Sequence, residues 1–287
     1  MSKLAALRSS PRVLVGGALV GTLFAVALLA PWLAPHDPNA QDLIQVLLPP
    51  VWLPGGEAEY PFGTDNLGRC VLSRLLYGAR VASYVAIVAS FFAMLLGTAL
   101  AVVAGYFRGW VDWVIGRVVD VWMSFPPVIL ALVLLLAFGA GVDRVVLGIV
   151  LVGWTRFCRV LRSEVLAIGR HDFVPAARLL GFGHLRIIVR EILPNTFPLI
   201  VTLISLEMGI AVIVEAILSF TGVSVEADVP TWGVMIADGR VYLNENAAPL
   251  IFPALAIFLS VLGFNLLGDG LRRVLDPRMA SRRSVLA

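Results

Sequence analysis

Long uncharged apolar runs alternate with polar stretches along the whole chain. A helix needs about 20 mostly apolar residues to cross the hydrocarbon core of a membrane. The apolar pattern predicts six spans, at residues 13–35, 81–107, 121–142, 145–168, 195–220 and 247–268. The predicted fold is therefore an all-α polytopic membrane protein with about six transmembrane helices.

The first predicted span has one alternative reading, a cleaved signal peptide. The apolar core of a signal peptide is usually about 7–15 residues long. Because residues 13–35 carry no charge over a longer distance, we expect a helix that stays attached. Gly17 and Gly21 stand there at GxxxG spacing, which would allow another helix to approach closely.

The fourth predicted span is apolar only in its first half. Residues 145–155 are uncharged, and Arg156, Arg159 and Arg162 then follow at intervals of three. We expect one continuous helix whose far end projects from the membrane. In the third span, the prolines of the "FPP" stretch at 125–127 should distort the first turn.

Polar loops and basic residues set the predicted topology. Residues 35–74 and 221–246 are polar and rich in acidic side chains. Of the 22 Lys and Arg residues, 17 fall on the side of both termini if the chain crosses six times. The positive-inside rule then places both termini in the cytoplasm and the two acidic loops outside.

Composition supports this class and excludes others. The mean hydropathy is +0.92 and only 14% of the residues are charged, too few to cover the surface of a soluble domain of 287 residues. The basic residues flank apolar runs, so we expect no nucleic-acid partner. Cys70 and Cys158 lie on opposite sides in this topology, and their spacing fits neither a metal site nor a disulfide.

A charged segment of about twenty residues interrupts the apolar pattern between the fourth and fifth spans. Pro175 suits the first turn of a short helix, which Asp172 is placed to cap. Gly181 and Gly183 allow a sharp turn, after which a second helix is predicted to run to Pro194 and to end or kink there. We call residues 172–194 the hinged segment.

The second half of the hinged segment is predicted to be amphipathic. Leu185, Ile188 and Ile192 recur every three or four residues on one side, and Arg186 and Arg190 lie four apart on another. Two readings remain open from this pattern alone. The segment is an interfacial turn whose arginines meet anionic lipid, or it is a docking surface for a cytoplasmic partner.

Two carboxylates fall within the fifth span, where ionisable groups are costly and usually functional. Glu207 and Glu215 are eight residues apart, so they lie on roughly the same side of a helix. They are candidates for lining a translocation path. The alternative is that they pair with basic residues of this chain or of a neighbouring subunit. The sequence contains no GxxxxGK[ST] phosphate-binding loop, so ATP would be handled by another polypeptide.

The hinged segment resembles the EAA loop of ABC importer permeases, which reads EAA, three residues, Gly, and a variable stretch ending in hydrophobic–Leu–Pro. The matching residues are Ala176, Ala177, Gly181, Ile192, Leu193 and Pro194. Pro175 departs from the pattern, because the position is usually acidic. The resemblance implies a coupling helix seated in a cleft of an ATPase subunit. The residues it assigns to this coupling are Pro175, Ala176, Ala177, Arg178, Gly181, Phe182, Gly183, Arg186 and Pro194.

Other stretches are similar to the C-type permeases of the dipeptide/oligopeptide/nickel family. They are "YPFGTDNLGRCVLSRLLYGAR" (60–80), "AGYFRGWVD" (104–112), "AILSFTGV" (216–223), "PTWGVMIADGR" (230–240) and "FNLLGDGLRRVLDPR" (264–278). Cys70 stands where the family usually has Asp. The resemblance covers nearly all of residues 60–278.

This resemblance implies the type I ABC importer transmembrane fold and a division into three parts. Residues 1–75 would form the first helix and an extracytoplasmic loop, residues 76–273 the transmembrane domain, and residues 274–287 a cytoplasmic tail. The expected site is the bacterial inner membrane.

The implied activity is translocation of di- or oligopeptides by ATP-driven alternating access. The expected partners are a homologous B-type permease, two cytoplasmic ATP-binding subunits, an extracytoplasmic solute-binding protein, the peptide substrate and membrane lipid. No cofactor is expected in this chain, since ATP and Mg would bind the partner subunits. Nickel chelates or glutathione are alternative substrates. An autonomous secondary transporter or channel is the alternative from another class.

Overall fold

The computed structural model describes residues 10–226 and 228–275, and these residues form helices joined by loops. We number the α-helices in chain order. They are α1 (Pro11–Leu33), α2 (Val71–Phe107), α3 (Gly109–Met123), α4 (Pro127–Phe138), α5 (Val142–Ile168), α6 (Phe173–Leu179), α7 (His184–Ile187), α8 (Leu193–Phe220), α9 (Trp232–Gly239) and α10 (Ala248–Leu275). A π-helical turn, Ile188–Ile192, joins α7 to α8, and a 3₁₀ turn, Arg240–Tyr242, follows α9.

Four helical segments are long and apolar enough to cross a membrane. They are Pro11–Leu33, Val71–Phe107, His184–Phe220 and Ala248–Val274, and the bent pair α3–α4 counts as a fifth when it is taken as one span. Helix α5 is the predicted fourth span and runs unbroken to Ile168, as expected. Its 27 residues are long enough to cross, but its arginines keep it outside this apolar set.

The third predicted span is not one straight helix. Helix α3 ends at Met123, α4 begins at Pro127, and the two are bent by 89°. The prediction of a single span at 121–142 with a distorted first turn is therefore wrong. The helix is interrupted between Met123 and Pro127, and its second part ends at Phe138. Two consecutive prolines cannot donate helical hydrogen bonds, and each disfavours a helical residue before it. Gly139, at φ 87°, ends α4.

The second predicted span begins ten residues earlier than expected, at Val71 instead of residue 81. Arg74 and Arg80 made this stretch too charged to join the apolar run in the sequence. The structure buries Arg74, at 1% exposed, beside the carboxylate of Asp65. The polar loop predicted at 35–74 accordingly ends at Cys70. The second predicted loop, 221–246, also differs from the prediction because it contains helix α9.

Helix α2 lies at the centre of the bundle and packs against α1, α5 and α8. Its contact face is built from small residues, which let helix backbones approach closely. A Cβ atom on Gly97 would lie 2.4 Å from the Trp154 carbonyl oxygen of α5. The buried alanines along α2 are Ala79, Ala82, Ala86, Ala89, Ala93, Ala101 and Ala104.

The glycine that seats α1 is not one of the predicted pair. Around both Gly17 and Gly21 the space for a Cβ atom is open. Gly16 makes the close contact instead, since a Cβ atom there would lie 2.5 Å from the Leu267 amide nitrogen of α10. The GxxxG prediction is therefore wrong for the contacts within this chain.

Candidate functional site: the hinged segment and the buried carboxylates

The first half of the hinged segment is helix α6, which ends in a glycine turn. Gly181 has φ 78°, and its amide donates to the Arg178 carbonyl (3.0 Å) while the Phe182 amide donates to the Ala177 carbonyl (3.1 Å). This is the Schellman pattern, which favours glycine at the left-handed position. Pro175 lies in the first turn, as predicted. The Asp172 side chain makes no cap hydrogen bond, so that prediction is wrong.

The second half continues into the next span without ending. Helix α7, the π turn at 188–192 and α8 together form one helical segment, His184–Phe220. Pro194 therefore does not end the helix. A proline ring clashes with the carbonyl four residues earlier, here Arg190, and the wider π turn directly before Pro194 relieves this crowding.

One side of the hinged segment is buried against the ends of α2 and α5. The buried cluster consists of Val102, Tyr106, Val165, Ile168, Val174, Ala177, Ile187 and Ile192. Ile192 thus lies on the inner side as predicted, with Ile188 partly buried against the same cluster, but Leu185 does not.

The other side of the hinged segment exposes large apolar side chains. Leu179 is 90% exposed, and Leu180 and Leu185 are exposed to a similar degree. The Arg186 guanidinium stacks over the Phe182 ring at 3.8 Å from its centroid. Exposed apolar residues grouped with a stacked arginine fit both open readings, a docking surface for a protein and an interfacial turn against anionic lipid.

The predicted coupling residues are exposed, with two exceptions. Ala177 is buried in the inner cluster, and Phe182 is half-buried. The exposed members are Pro175, Ala176, Arg178, Gly181, Gly183, Arg186 and Pro194.

The three arginines of α5, Arg156, Arg159 and Arg162, each meet a carboxylate on another helix, and we call them the arginine ladder. Arg156 lies 3.3 Å from Glu207 of α8. Arg159 donates to Asp120 of α3 at 2.8 Å. Arg162 forms a bidentate pair with Asp112, which is also on α3. The arginine ladder therefore ties α5 to both α3 and α8. The sequence showed the spacing of the arginines but not their partners, which lie far away along the chain.

Both predicted path residues are deeply buried. Glu207 is 3% exposed and contacts the arginine ladder, which is the pairing that the sequence left open as an alternative. Glu215 is 1% exposed and accepts a hydrogen bond from the Ser219 hydroxyl at 2.6 Å, which in turn lies 2.8 Å from the Ser224 hydroxyl. Within residues 10–226 and 228–275, no basic side chain pairs with Glu215. A role for either residue in translocation stays a prediction.

Comparison with known proteins identifies the family. Residues 97–281, more than half of the chain, match the family described as "Binding-protein-dependent transport system inner membrane component", and residues 4–50 match "N-terminal TM domain of oligopeptide transport permease C". The chain belongs to this permease family. It is a multi-pass inner-membrane transport subunit of the type I ABC importer fold.

Curated relatives can be aligned with this chain over most of their own length. The dipeptide transport system permease protein DppC of Alkalihalophilus pseudofirmus is 34% identical over 278 residues, covering 96% of this chain and 88% of the relative. The di/tripeptide transport system permease protein DppC of Pseudomonas aeruginosa is 37% identical, with 92% and 88% covered. The glutathione transport system permease protein GsiD of Pectobacterium atrosepticum is 36% identical, with 92% and 86% covered.

The permease also carries a buried polar site that the sequence did not reveal, the loop ion-pair network of Asp65, Arg69, Arg74 and Asp238. Arg69 contacts Asp65 at 2.6 Å and Asp238 at 3.1 Å, and Arg74 lies 3.7 Å from Asp65. Asp65 also accepts hydrogen bonds from the amides of Leu67 and Arg69. The network fixes the loop before α2 against α9. The four-residue spacing of Asp65 and Arg69 was the available signal, but the link to Asp238 is not local.

The two cysteines of the permease are both free and buried. Cys70 directly precedes α2, where its backbone pairs with Thr64, and Cys158 of α5 belongs to a buried cluster with residues of α2 and α3. The prediction that they form no disulfide is confirmed. The described part of the chain holds no group of three or more His, Cys, Asp or Glu residues arranged to bind a metal ion.

Proposed function

We propose that this permease is the C-type subunit of an ABC importer that carries di- and oligopeptides into the cell. Relatives covering most of this chain are named for dipeptide and di/tripeptide transport. Their shared length and the similar stretches from residue 60 to 278 support the same substrate class here. Glutathione is the second candidate substrate, because a relative of comparable identity is named for it.

One observation carries the proposal, the two-sided packing of the hinged segment. Its inner side is locked to α2 and α5, and its outer side presents Leu179, Leu180 and Leu185. An exposed leucine group beside a hydrogen-bonded glycine turn fits insertion into an apolar cleft of another protein. We assign that cleft to a cytoplasmic ATP-binding subunit, which would hold ATP and Mg.

Pro175 replaces the acidic residue usual at the start of this motif. Its side chain is exposed, like that of the neighbouring Ala176. The hinged segment would therefore grip the ATPase through leucine contacts and through Arg178 and Arg186, whose charges suit acidic groups on the partner.

The proposed mechanism is alternating access. Closure of two ATP-binding subunits on ATP would displace α6, and the Schellman turn at Gly181 would transfer the displacement to α7. Because α7, the π turn and α8 are one helical segment, the displacement would tilt α8 and with it Glu207 and Glu215. We assign these two carboxylates to the path, facing a cationic group such as a peptide amino terminus.

The remaining partners and the topology follow from the same assignment. A homologous B-type permease would complete the path, and a solute-binding protein would deliver peptide from outside. Both termini would lie in the cytoplasm, with residues 1–75, 76–273 and 274–287 as anchor and loop, transmembrane domain and tail. Residues 276–287 of that tail lie outside the described part of the chain.

The test is uptake of a labelled dipeptide into proteoliposomes that contain the complete transporter. We expect uptake to require ATP and to fall at least tenfold in Gly181→Val, because a β-branched residue at φ 78° strains the turn. Gly222→Val is the matched control, since Gly222 has φ 75° and equally open space but lies at the far end of α8.

Two results would sink the proposal. Uptake independent of ATP would indicate an autonomous transporter or channel, the alternative that the carboxylates Glu207 and Glu215 favour. Equal uptake by wild type and Gly181→Val would remove the hinged segment from the mechanism. Competition of unlabelled dipeptide against glutathione decides between the two substrate classes.

A further inference from the structure

Tyr106, near the end of α2, contacts both halves of the hinged segment. Its hydroxyl and His184 Nδ1 are joined by a hydrogen bond of 2.8 Å. The Arg178 guanidinium lies over its ring, 4.9 Å from the centroid. Arg178 precedes the Gly181 turn and His184 follows it, so one side chain spans the turn.

The burial and packing of Tyr106 restrict its side chain and so favour these contacts. Tyr106 is 6% exposed and belongs to the buried cluster between the hinged segment, α2 and α5. It carries the hydroxyl group of that cluster, and this hydroxyl is hydrogen-bonded to His184 of the hinged segment. Phe107 adds an edge-to-face contact with the Tyr106 ring at 5.1 Å between centroids.

Helix α2 can carry a displacement far from Tyr106. It has 37 residues without a break, a length of about 55 Å. At its other end Arg74 is held by the loop ion-pair network, and the Trp232 indole donates to the Leu75 carbonyl at 3.0 Å. Movement of α2 at Tyr106 therefore reaches the loop 34–70 and α9.

We propose that Tyr106 is a positioning residue that clamps both halves of the hinged segment to α2. Displacement of the segment then moves α2 together with α8. Without the clamp, only apolar packing would hold the segment to α2, and the segment would turn more freely about Gly181, so ATP hydrolysis would open the path less often. This inference rests on the proposed coupling role of the hinged segment.

The test removes only the hydroxyl, with Tyr106→Phe in the complete reconstituted transporter. We expect the number of dipeptides imported per ATP hydrolysed to fall about fivefold, which corresponds to the net free energy of one hydrogen bond. The ATP hydrolysis rate itself should be kept. His184→Ala should cause a similar fall, and the double variant should be no worse than either single one, because all three lose the same bond. His184→Asn, which restores a polar atom near the Nδ1 position, should recover part of the ratio.

The matched control is Tyr84→Phe on the same helix. It also loses a hydroxyl hydrogen bond of 2.8 Å, to Asp143, but at the opposite half of α2. We expect an unchanged ratio of dipeptide to ATP in this variant. An equal fall in Tyr84→Phe would reduce the effect to general loosening of α2 and overturn the inference.

Failure of this inference is distinguishable from failure of the proposed function. If Gly181→Val uncouples transport while Tyr106→Phe imports as many dipeptides per ATP as wild type, the segment couples without the clamp. If Gly181→Val also has no effect, the coupling role itself is lost. Additive effects of Tyr106→Phe and His184→Ala would likewise overturn the clamp, since the two residues would then act separately.

Discussion

Arg156 of α5 lies 3.3 Å from Glu207 of α8, and this pair joins two helices across the interior of the bundle. Replacing Arg156 by Met leaves the buried carboxylate without its partner. We expect a loss of about 1–3 kcal/mol in the free energy of unfolding, less than for a fully buried pair because Arg156 is about a third exposed. The thermal unfolding midpoint of the purified subunit in detergent reports it.

The matching double variant separates charge from packing. In Arg156→Met/Glu207→Gln a neutral amide replaces the buried carboxylate, so we expect most of the lost stability to return. A double variant as unstable as Arg156→Met alone would show that packing, not the ion pair, sets the effect.

Gly97 determines how closely α2 and α5 approach. Gly97→Ala places a methyl group 2.4 Å from a backbone oxygen and 2.5 Å from the Phe157 Cβ, so the two helices must separate. Overpacking of this kind costs about 1–3 kcal/mol. Gly21→Ala is the control in the isolated subunit, because its methyl group meets open space and alanine is the better helix former. The thermal midpoint should fall for Gly97→Ala and hold or rise for Gly21→Ala.

The loop ion-pair network allows the same Asp→Asn substitution to be compared at a buried position and at a partly exposed one. Asp65→Asn removes the charge facing Arg69 and Arg74, with the Asp65 side chain 7% exposed, and we expect a cost of about 3 kcal/mol. Asp238→Asn also removes a partner of Arg69, but this side chain is 35% exposed and the cost should stay below about 1 kcal/mol. Limited proteolysis of the loop before α2 measures both. Equal cleavage rates in the two variants would contradict the expectation that the more buried ion pair contributes more stability.

The π turn before Pro194 predicts an effect on coupling rather than on stability. In Pro194→Ala the amide hydrogen returns and the crowding at the Arg190 carbonyl disappears, so the turn should relax towards an α-helix. Relaxation rotates the hinged segment relative to α8, and we expect a several-fold loss of imported dipeptide per ATP. Pro198→Ala is the control, because Pro198 lies inside α8 beyond the π turn. An undiminished ratio in Pro194→Ala would show that the π turn is not used in transmission.

The sequence predicted most features that depend on neighbours along the chain, although the Asp172 cap was wrong. Apolar run length found the spans, and Gly181 and Pro175 predicted the two halves of the hinged segment. It missed what depends on contacts between helices. The early start of α2 depends on Asp65 neutralising Arg74, and the partners of the arginine ladder lie on α3 and α8. The α3–α4 bend was underestimated because the effect of Pro126 and Pro127 depends on whether neighbouring helices hold the chain straight.

The arginine ladder changes what the bilayer meets along α5. Counted singly, Arg156, Arg159 and Arg162 make this helix too charged to enter hydrocarbon at low cost. Each instead reaches an opposite charge on α3 or α8, so the half of α5 that was predicted to project from the membrane carries three ion pairs instead of three unpaired charges. The packing of α5 in the bundle therefore depends on the carboxylates that α3 and α8 supply, as well as on apolar contacts.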